Sequence, residues 1–279
     1  MLSDVVGLLR CPHCAGDLAR SDDILACAAG HTFDIARRGH VTLLSGGGHG
    51  ARGDTSEMVA ARAAFLDAGH YGAIASALAD TCAKAAPGPE TAVLDVGAGT
   101  GHYLAAVLEA VKGAVGVALD ASPAALRRAA RAHPRIGAVG GDTWRALPLK
   151  DSSVAIATTV FAPRNGAELA RVIAPGGTLV VVTPTVRHLA ELRAPLGLLS
   201  VDPDKAGRLE RQLEPHLTAK VSRTVEYELA LAPADVRNLA AMGPSAWHAD
   251  AATLAATIAA LPPWTAATVS VTLSSFRRT

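Results

Sequence analysis

The chain has 279 residues, half of them hydrophobic and 18% charged, which excludes wholesale disorder and allows one large domain, or a catalytic domain with a small module. Its net charge of +1 excludes a globally basic nucleic-acid coat, though a local patch would still serve an RNA substrate. No uninterrupted run of about 20 apolar residues occurs, and Met1-Leu2-Ser3-Asp4 lacks the basic start of a signal peptide, so a cytoplasmic protein without a membrane span is expected.

The first local signal is Cys11-x2-Cys14 followed by Cys27-x3-His31. A two-residue spacing lets both thiolates of a tight turn face one ion, and a second turn beside Gly30 supplies the other pair. Three thiolates and one imidazole make a closed tetrahedral set, which suits structural Zn2+ and leaves no open position for catalysis. His13 could compete with His31, but its place inside the first turn points it away. Cys82, alone in an Ala-rich stretch, reads as a small core residue.

Short strands are expected at residues 32–35 and 40–44, then a Gly-rich linker or mobile loop at 45–53. Asp54-Thr55-Ser56-Glu57 reads as a helix start with its N-cap, and a second helix runs over 71–85 to Pro87-Gly88-Pro89. Beyond residue 90 the chain alternates. Strands are expected at 92–96, 115–119, 136–139, 154–160 and 178–183, with helices at 102–111 and 123–132 and a forced turn at Pro175-Gly176-Gly177. The tail adds a strand near 224–231, helices near 234–241 and 251–261, and a last strand at 267–276. Alternating units predict a doubly wound, Rossmann-like α/β sheet.

The loop Asp95-Val96-Gly97-Ala98-Gly99-Thr100-Gly101-His102 follows the first of these strands and opens a helix. A dinucleotide loop would place its third glycine at position 102, which is His102, and an acid two residues before the first glycine would repel a pyrophosphate. That acid suits a ligand with a positive charge or an amine. Asp120 ends the second strand, where a carboxylate can accept both ribose hydroxyls, and Asp142 ends the third, where it can accept from an adenine amino group. Three acids at three strand ends around one crevice point to S-adenosylmethionine. The alternatives are an N-cap for Asp142 and a solvated strand end for Asp120.

Taken together, Cys11-Pro12-x-Cys14, Cys27-x3-His31-Thr32-Phe33-Asp34, Met58-x-x-Ala61-Arg62, Leu66-Asp67-x-Gly69-His70-Tyr71, Phe161-Ala162-Pro163-Arg164-Asn165 and Gly243-Pro244-Ser245-Ala246-Trp247-His248 resemble the RlmA-type 23S rRNA (guanine-N1)-methyltransferases, and most of all their macrolide-resistance branch, the tylosin and mycinamicin type. The resemblance implies methylation of guanine N1 in a 23S rRNA hairpin loop lining the peptide exit tunnel, by a homodimer whose zinc module helps recognise the RNA. It also implies that Tyr71 and His188 contact the cofactor beside Asp95, Gly97, Gly99, Thr100, Gly101 and His102. Read alone, Tyr71 is a helix-start aromatic and His188 a loop histidine. The expected organisation is a zinc-binding RNA-recognition module at 1–44, a linker with connecting helices at 45–89, and a methyltransferase domain at 90–279. The basic stretch Arg127, Arg128, Arg131, His133 and Arg135 reads as RNA contact or as a solvated helix face. No base for the N1 proton is assigned. The rival functions are a small-molecule methyltransferase and an RNA-binding protein with a vestigial pocket.

Overall fold

Apolar, β-branched runs that alternate with helical stretches leave each strand buried on both faces. The computed structural model describes residues 1–44, 53–202, 204–243 and 251–279. Its large sheet is built from β4 (His40–Thr42), β5 (Ala92–Val96), β6 (Val115–Asp120), β7 (Ile136–Gly140), β8 (Val154–Val160), β9 (Ile173–Pro184), β10 (Thr218–Leu231) and β11 (Thr265–Arg277), in the spatial order β10-β11-β9-β8-β5-β6-β7-β4. The pairs from β4 to β9 are parallel, and β11 inserts antiparallel between β9 and β10. Along β5 the side chains alternate between two cores, with Val93 on one face and Leu94 on the other.

One face carries α2 (Ser56–Asp67), α3 (Gly72–Ala85), α4 (His102–Ala110), α7 (Ala190–Leu196), α9 (Pro233–Ala241) and α10 (Ala251–Ala259); α5 (Pro123–Ala132) packs on β6 and β7. Thr55 caps α2 by accepting from the Met58 N–H at 3.2 Å, as its sequence predicts. Cys82 is fully buried. The opposite face carries α1 (Leu2–Val5), α6 (Gly166–Val172) and α8 (Lys205–Leu213).

The N-terminal segment folds as a small antiparallel sheet of β1 (Leu18–Ser21), β2 (Ile24–Cys27) and β3 (Thr32–Asp34). It is seated on the large sheet. Val5 packs where a side chain on Gly137 would stand, since a Cβ there would lie 2.2 Å from the Val5 methyl. Arg10 N–H donates to the Pro148 carbonyl at 3.1 Å, and Lys150 N–H to that of Leu8 at 2.9 Å. β4, expected within the N-terminal module, is instead the outermost strand of the large sheet, paired with β7. The boundary drawn at residue 44 therefore crosses one continuous hydrophobic core, which holds Leu9, Leu25, Val41, Val117 and Val139 together.

Two further differences have local causes. Pro175-Gly176-Gly177 does not interrupt the chain before β9 but forms a bulge inside it. Pairing with β8 jumps from Val154–Ile173 to Ile156–Thr178, and Gly176 takes φ +75°. The helices α1, α6 and α7, of four, seven and seven residues, are too short for a sequence pattern to announce them, and α8 is a further helix that the sequence reading omits. The Gly-rich stretch 45–52 and residues 244–250, with Trp247 and His248, lie outside the described residues. Among the described residues no helix is long and apolar enough to cross a membrane.

Candidate functional site

β5 delivers the chain into the glycine loop, whose Gly97, Gly99 and Gly101 take φ of +73°, +55° and +79°. Gly97 has a second constraint: a Cβ there would stand 2.5 Å from that of Ala162, which follows β8. The N–H groups of Gly97 and Ala98 donate to the Leu119 carbonyl at 2.9 and 3.0 Å, and that of Gly99 to Asp120 Oδ2 at 2.8 Å. The loop is thus laced to β6 beneath a cavity of about 430 Å3.

The expected ligand residues fall into three groups. Tyr71, Gly97, Gly99, Thr100 and Asp120 line this cavity. Asp120 spends both oxygens on backbone donors, Gly99 and Ser122, and burial raises its pKa against those two bonds. Asp95, Gly101, His102 and Asp142 stand behind the wall. Asp95 is 1% exposed and accepts from the Thr158 hydroxyl at 2.8 Å. Burial pushes its carboxyl up to about 7, with the Thr158 bond opposing and the charge of Asp120 assisting. Gly101 packs against α5, where a Cβ would meet Ala129. The ring of His102 is half-buried, and burial lowers its pKa. Asp142 turns its carboxylate into the following turn, where Oδ1 accepts from Trp144 N–H at 2.9 Å, while its neighbours Thr143 and Trp144 reach the cavity.

The third group is His188, which lines a second cavity of about 550 Å3. The two cavities share Arg62, Tyr71, Phe161 and Met242. His188 is buried and receives the Ser270 N–H on Nδ1 at 3.2 Å, so its own proton sits on Nε2, 3.2 Å from the Tyr71 hydroxyl oxygen. Phe161 completes the cluster at ring distances of 5.5 Å to His188 and 5.9 Å to Tyr71. It is 41% exposed and takes φ +53°, a conformation costly for an aromatic residue. An exposed ring held by strained backbone directly after β8 is a platform on which a planar base can stack.

Sequence reasoning missed Arg62, Asp54 and Trp144 as cavity residues. Arg62 pairs with Asp54 and donates to the Met242 carbonyl at 2.7 Å, tying α2 to the end of α9. Its presence in a family motif was the available signal, and nothing local gave it a role.

In the N-terminal ribbon, Cys11, Cys14, Cys27 and His31 bring four donor atoms within 4.8 Å of one another. The Cys14–Cys27 sulfurs are 3.6 Å apart, and His31 Nδ1 lies 3.6 Å from Cys11 and 3.3 Å from Cys27. Ligands about 2.3 Å from a tetrahedral ion stand about 3.8 Å apart, so the set fits zinc without rearrangement. Gly30 takes φ +84° in the second turn. His13 stays outside the set and stacks on Phe33 at 5.8 Å.

The basic stretch divides. Arg135 donates to the carbonyls of Leu108, Val111 and Ala114 at the end of α4, and His133 bonds Glu109 at 3.0 Å. These two are structural, and only Arg127, Arg128 and Arg131 remain on the helix surface.

Residues 9–45 match the zinc-ribbon family described as RlmA, N-terminal, and residues 93–177 match the methyltransferase domain family. A Bacillus halodurans crystal structure titled as a methyltransferase aligns with a TM-score of 0.52 at 18% identity, covering 72% of this chain and 97% of that one. Fold and loop thus define an S-adenosylmethionine-dependent methyltransferase that carries an N-terminal zinc ribbon. The chain is 50% identical over 278 residues to the 23S rRNA (guanine(748)-N(1))-methyltransferase of Streptomyces fradiae, with 99% of each covered. A Micromonospora griseorubida protein named for guanine-N1 methylation of 23S rRNA is 49% identical, again with 99% of each covered. The chain belongs to the family of 23S rRNA (guanine-N1)-methyltransferases.

Proposed function

We propose that this protein transfers the methyl group of S-adenosylmethionine to N1 of a guanine in a 23S rRNA hairpin loop lining the peptide exit tunnel, and thereby confers resistance to macrolides of the tylosin and mycinamicin type. The carrying observation is the wall common to the two cavities, where Tyr71 and Phe161 separate a cofactor chamber from a chamber open to a base. Identity with the Streptomyces fradiae enzyme makes guanine 748 the first nucleotide to test. A ribosomal substrate places the work in the cytoplasm. A homodimer with a cleft for the RNA belongs to the same reading, and sedimentation of the purified protein tests it.

Bound S-adenosylmethionine supplies a methyl group already activated on a sulfonium, so the chain's main task is positioning. Asp120, which lines the cavity, would accept from the ribose hydroxyls with the lone pairs its two backbone bonds leave, and the glycine loop would take the methionyl part. Asp95, once ionised, would supply a buried negative charge behind the wall for the cofactor's ammonium. Thr143 and Trp144, which line the cavity beside Asp142, would pack against the adenine. Among the described residues, Arg62 is the one cation in the 430 Å3 wall, and the cofactor has one anionic group, its carboxylate. Arg62→Gln should therefore weaken S-adenosylmethionine binding about 10- to 100-fold, the loss of one charge-assisted hydrogen bond. It should leave binding of the decarboxylated cofactor unchanged in calorimetry. Equal losses for both ligands would assign Arg62 to the fold alone.

Guanine N1 lies on the Watson–Crick edge, so the base must be flipped out of any pair, and Phe161 offers the surface that receives it. Transfer of labelled methyl from S-adenosylmethionine to unmodified 23S rRNA, mapped by reverse transcription, tests the whole reading. A single new stop next to a tunnel-hairpin guanine is the expected result. Cofactor binding without transfer to RNA would move the assignment to a small-molecule acceptor.

A further inference from the structure

Methylation of guanine N1 requires a group that takes the N1 proton, and resting on the reading above, the structure locates one. The methyl crosses the wall formed by Arg62, Tyr71, Phe161 and Met242, so the base belongs to the 550 Å3 cavity beyond it. Among the described residues lining that cavity, the side chains that carry a basic ring nitrogen or a carboxylate are two, His188 and Asp202. His188 is committed, since Nδ1 accepts the Ser270 N–H and Nε2 holds the ring proton beside Tyr71. It has no lone pair left for N1.

Asp202 lies between α7 and α8 with its side chain 35% exposed. Oδ1 accepts from the Asp204 N–H at 2.9 Å and Oδ2 from the Arg208 guanidinium, which fixes the orientation of the carboxylate. Each oxygen retains a second acceptor site. Guanine presents two adjacent donors on its Watson–Crick edge, N1–H and the N2 amino group, which match two carboxylate oxygens in one plane. Adenine presents an acceptor at N1 and would be repelled. The other charged groups facing the cavity, Arg62, Arg164, Arg193 and Arg208, are all cations, which favour the negative charge that develops on the base as its N1 proton leaves.

We propose that Asp202 binds the N1–H and N2–H edge of the flipped guanine and removes the N1 proton. The N1–H bond breaks toward an Asp202 oxygen, and its electron pair stays on N1 and forms the bond to the methyl carbon. The carbon–sulfur pair remains on sulfur as the neutral thioether, and protonated Asp202 returns its proton to solvent.

The test is single-turnover methylation of a 23S rRNA hairpin at saturating RNA and cofactor, across pH, with cofactor binding measured on every variant. Asp202→Asn should lose about 10²–10⁴-fold in rate while binding S-adenosylmethionine as the wild type does. Its rate should climb steadily with pH where the wild-type rate levels off, and Asp202→Glu should recover part of the loss. Wild-type rate and pH profile in Asp202→Asn would overturn the assignment, as would a loss erased by raising RNA concentration. If the wild type methylates no RNA while binding cofactor, the reading of the substrate falls, and this inference with it.

Discussion

S-adenosylmethionine affinity should rise about tenfold per pH unit up to pH about 7 and stop rising there, turning down once the cofactor's own ammonium deprotonates at about pH 8, and Asp95→Asn should abolish the rise. Asp95 is buried, and burial holds its carboxyl up near 7 despite the Thr158 hydroxyl, with the charge of Asp120 adding to the rise. Below that pH the free protein keeps Asp95 protonated and neutral. A cofactor ammonium stabilises the carboxylate, so binding must release a proton there and weakens as pH falls. The sign for stability is opposite. Between the ordinary carboxylate range and about 7, the folded chain binds more protons than the unfolded one, so the cofactor-free protein loses stability as pH rises. Asn preserves the shape and removes the charge. Removing one member of a buried charge pair costs about 3–5 kcal/mol, so affinity at pH 8 should fall on the order of 10²–10³-fold. Calorimetry of both proteins from pH 5.5 to 8.5, in buffers of different ionisation heat, reads affinity and proton release together. Tight, pH-independent binding by Asp95→Asn would show that the ammonium does not use this charge.

The second large effect concerns the ribbon. Cys14→Ser should release zinc and unfold the segment that holds β1 to β3. Apparent zinc-binding energies of about 10–16 kcal/mol in small zinc modules are folding energies, and four donors within 4.8 Å would let one ion tie together two turns that otherwise each carry only their own short backbone hydrogen bonds. Leu2, Val5 and Val41 remain packed in the core of the large sheet, so the methyltransferase fold should persist with a lowered Tm. Cofactor binding should change little and methylation of 23S rRNA should fail. Metal analysis, calorimetry and the transfer assay on one preparation check all three outcomes. Unchanged zinc would remove the ligand assignment. Full methylation without zinc would remove RNA recognition from the ribbon.

Much of this molecule is written locally. The Cys11, Cys14, Cys27 and His31 spacing is legible because each pair sits in one turn, so sequence distance is spatial distance. The parallel strands β5 to β9 are legible because burial on both faces demands continuous β-branched runs. Asp120 is legible because a strand end in such a sheet opens onto the crevice. Asp142 obeys the same rule, yet its carboxylate is turned aside by the Trp144 N–H, a competition that no strand pattern reveals.

By itself, then, the sequence determined the zinc set, the strand–helix alternation, the glycine loop and the class of cofactor, all of which depend on neighbours within a few residues. The tertiary structure decided the rest. It brought β4 to the edge of the large sheet, set β11 between β9 and β10, and spent His133 and Arg135 on the end of α4. It also placed Arg62 against the glycine loop and fixed the proton of His188 through Ser270. Each of these is a contact between segments far apart in the chain, chosen by burial and hydrogen bonding once the sheet has formed, and no local pattern encodes it.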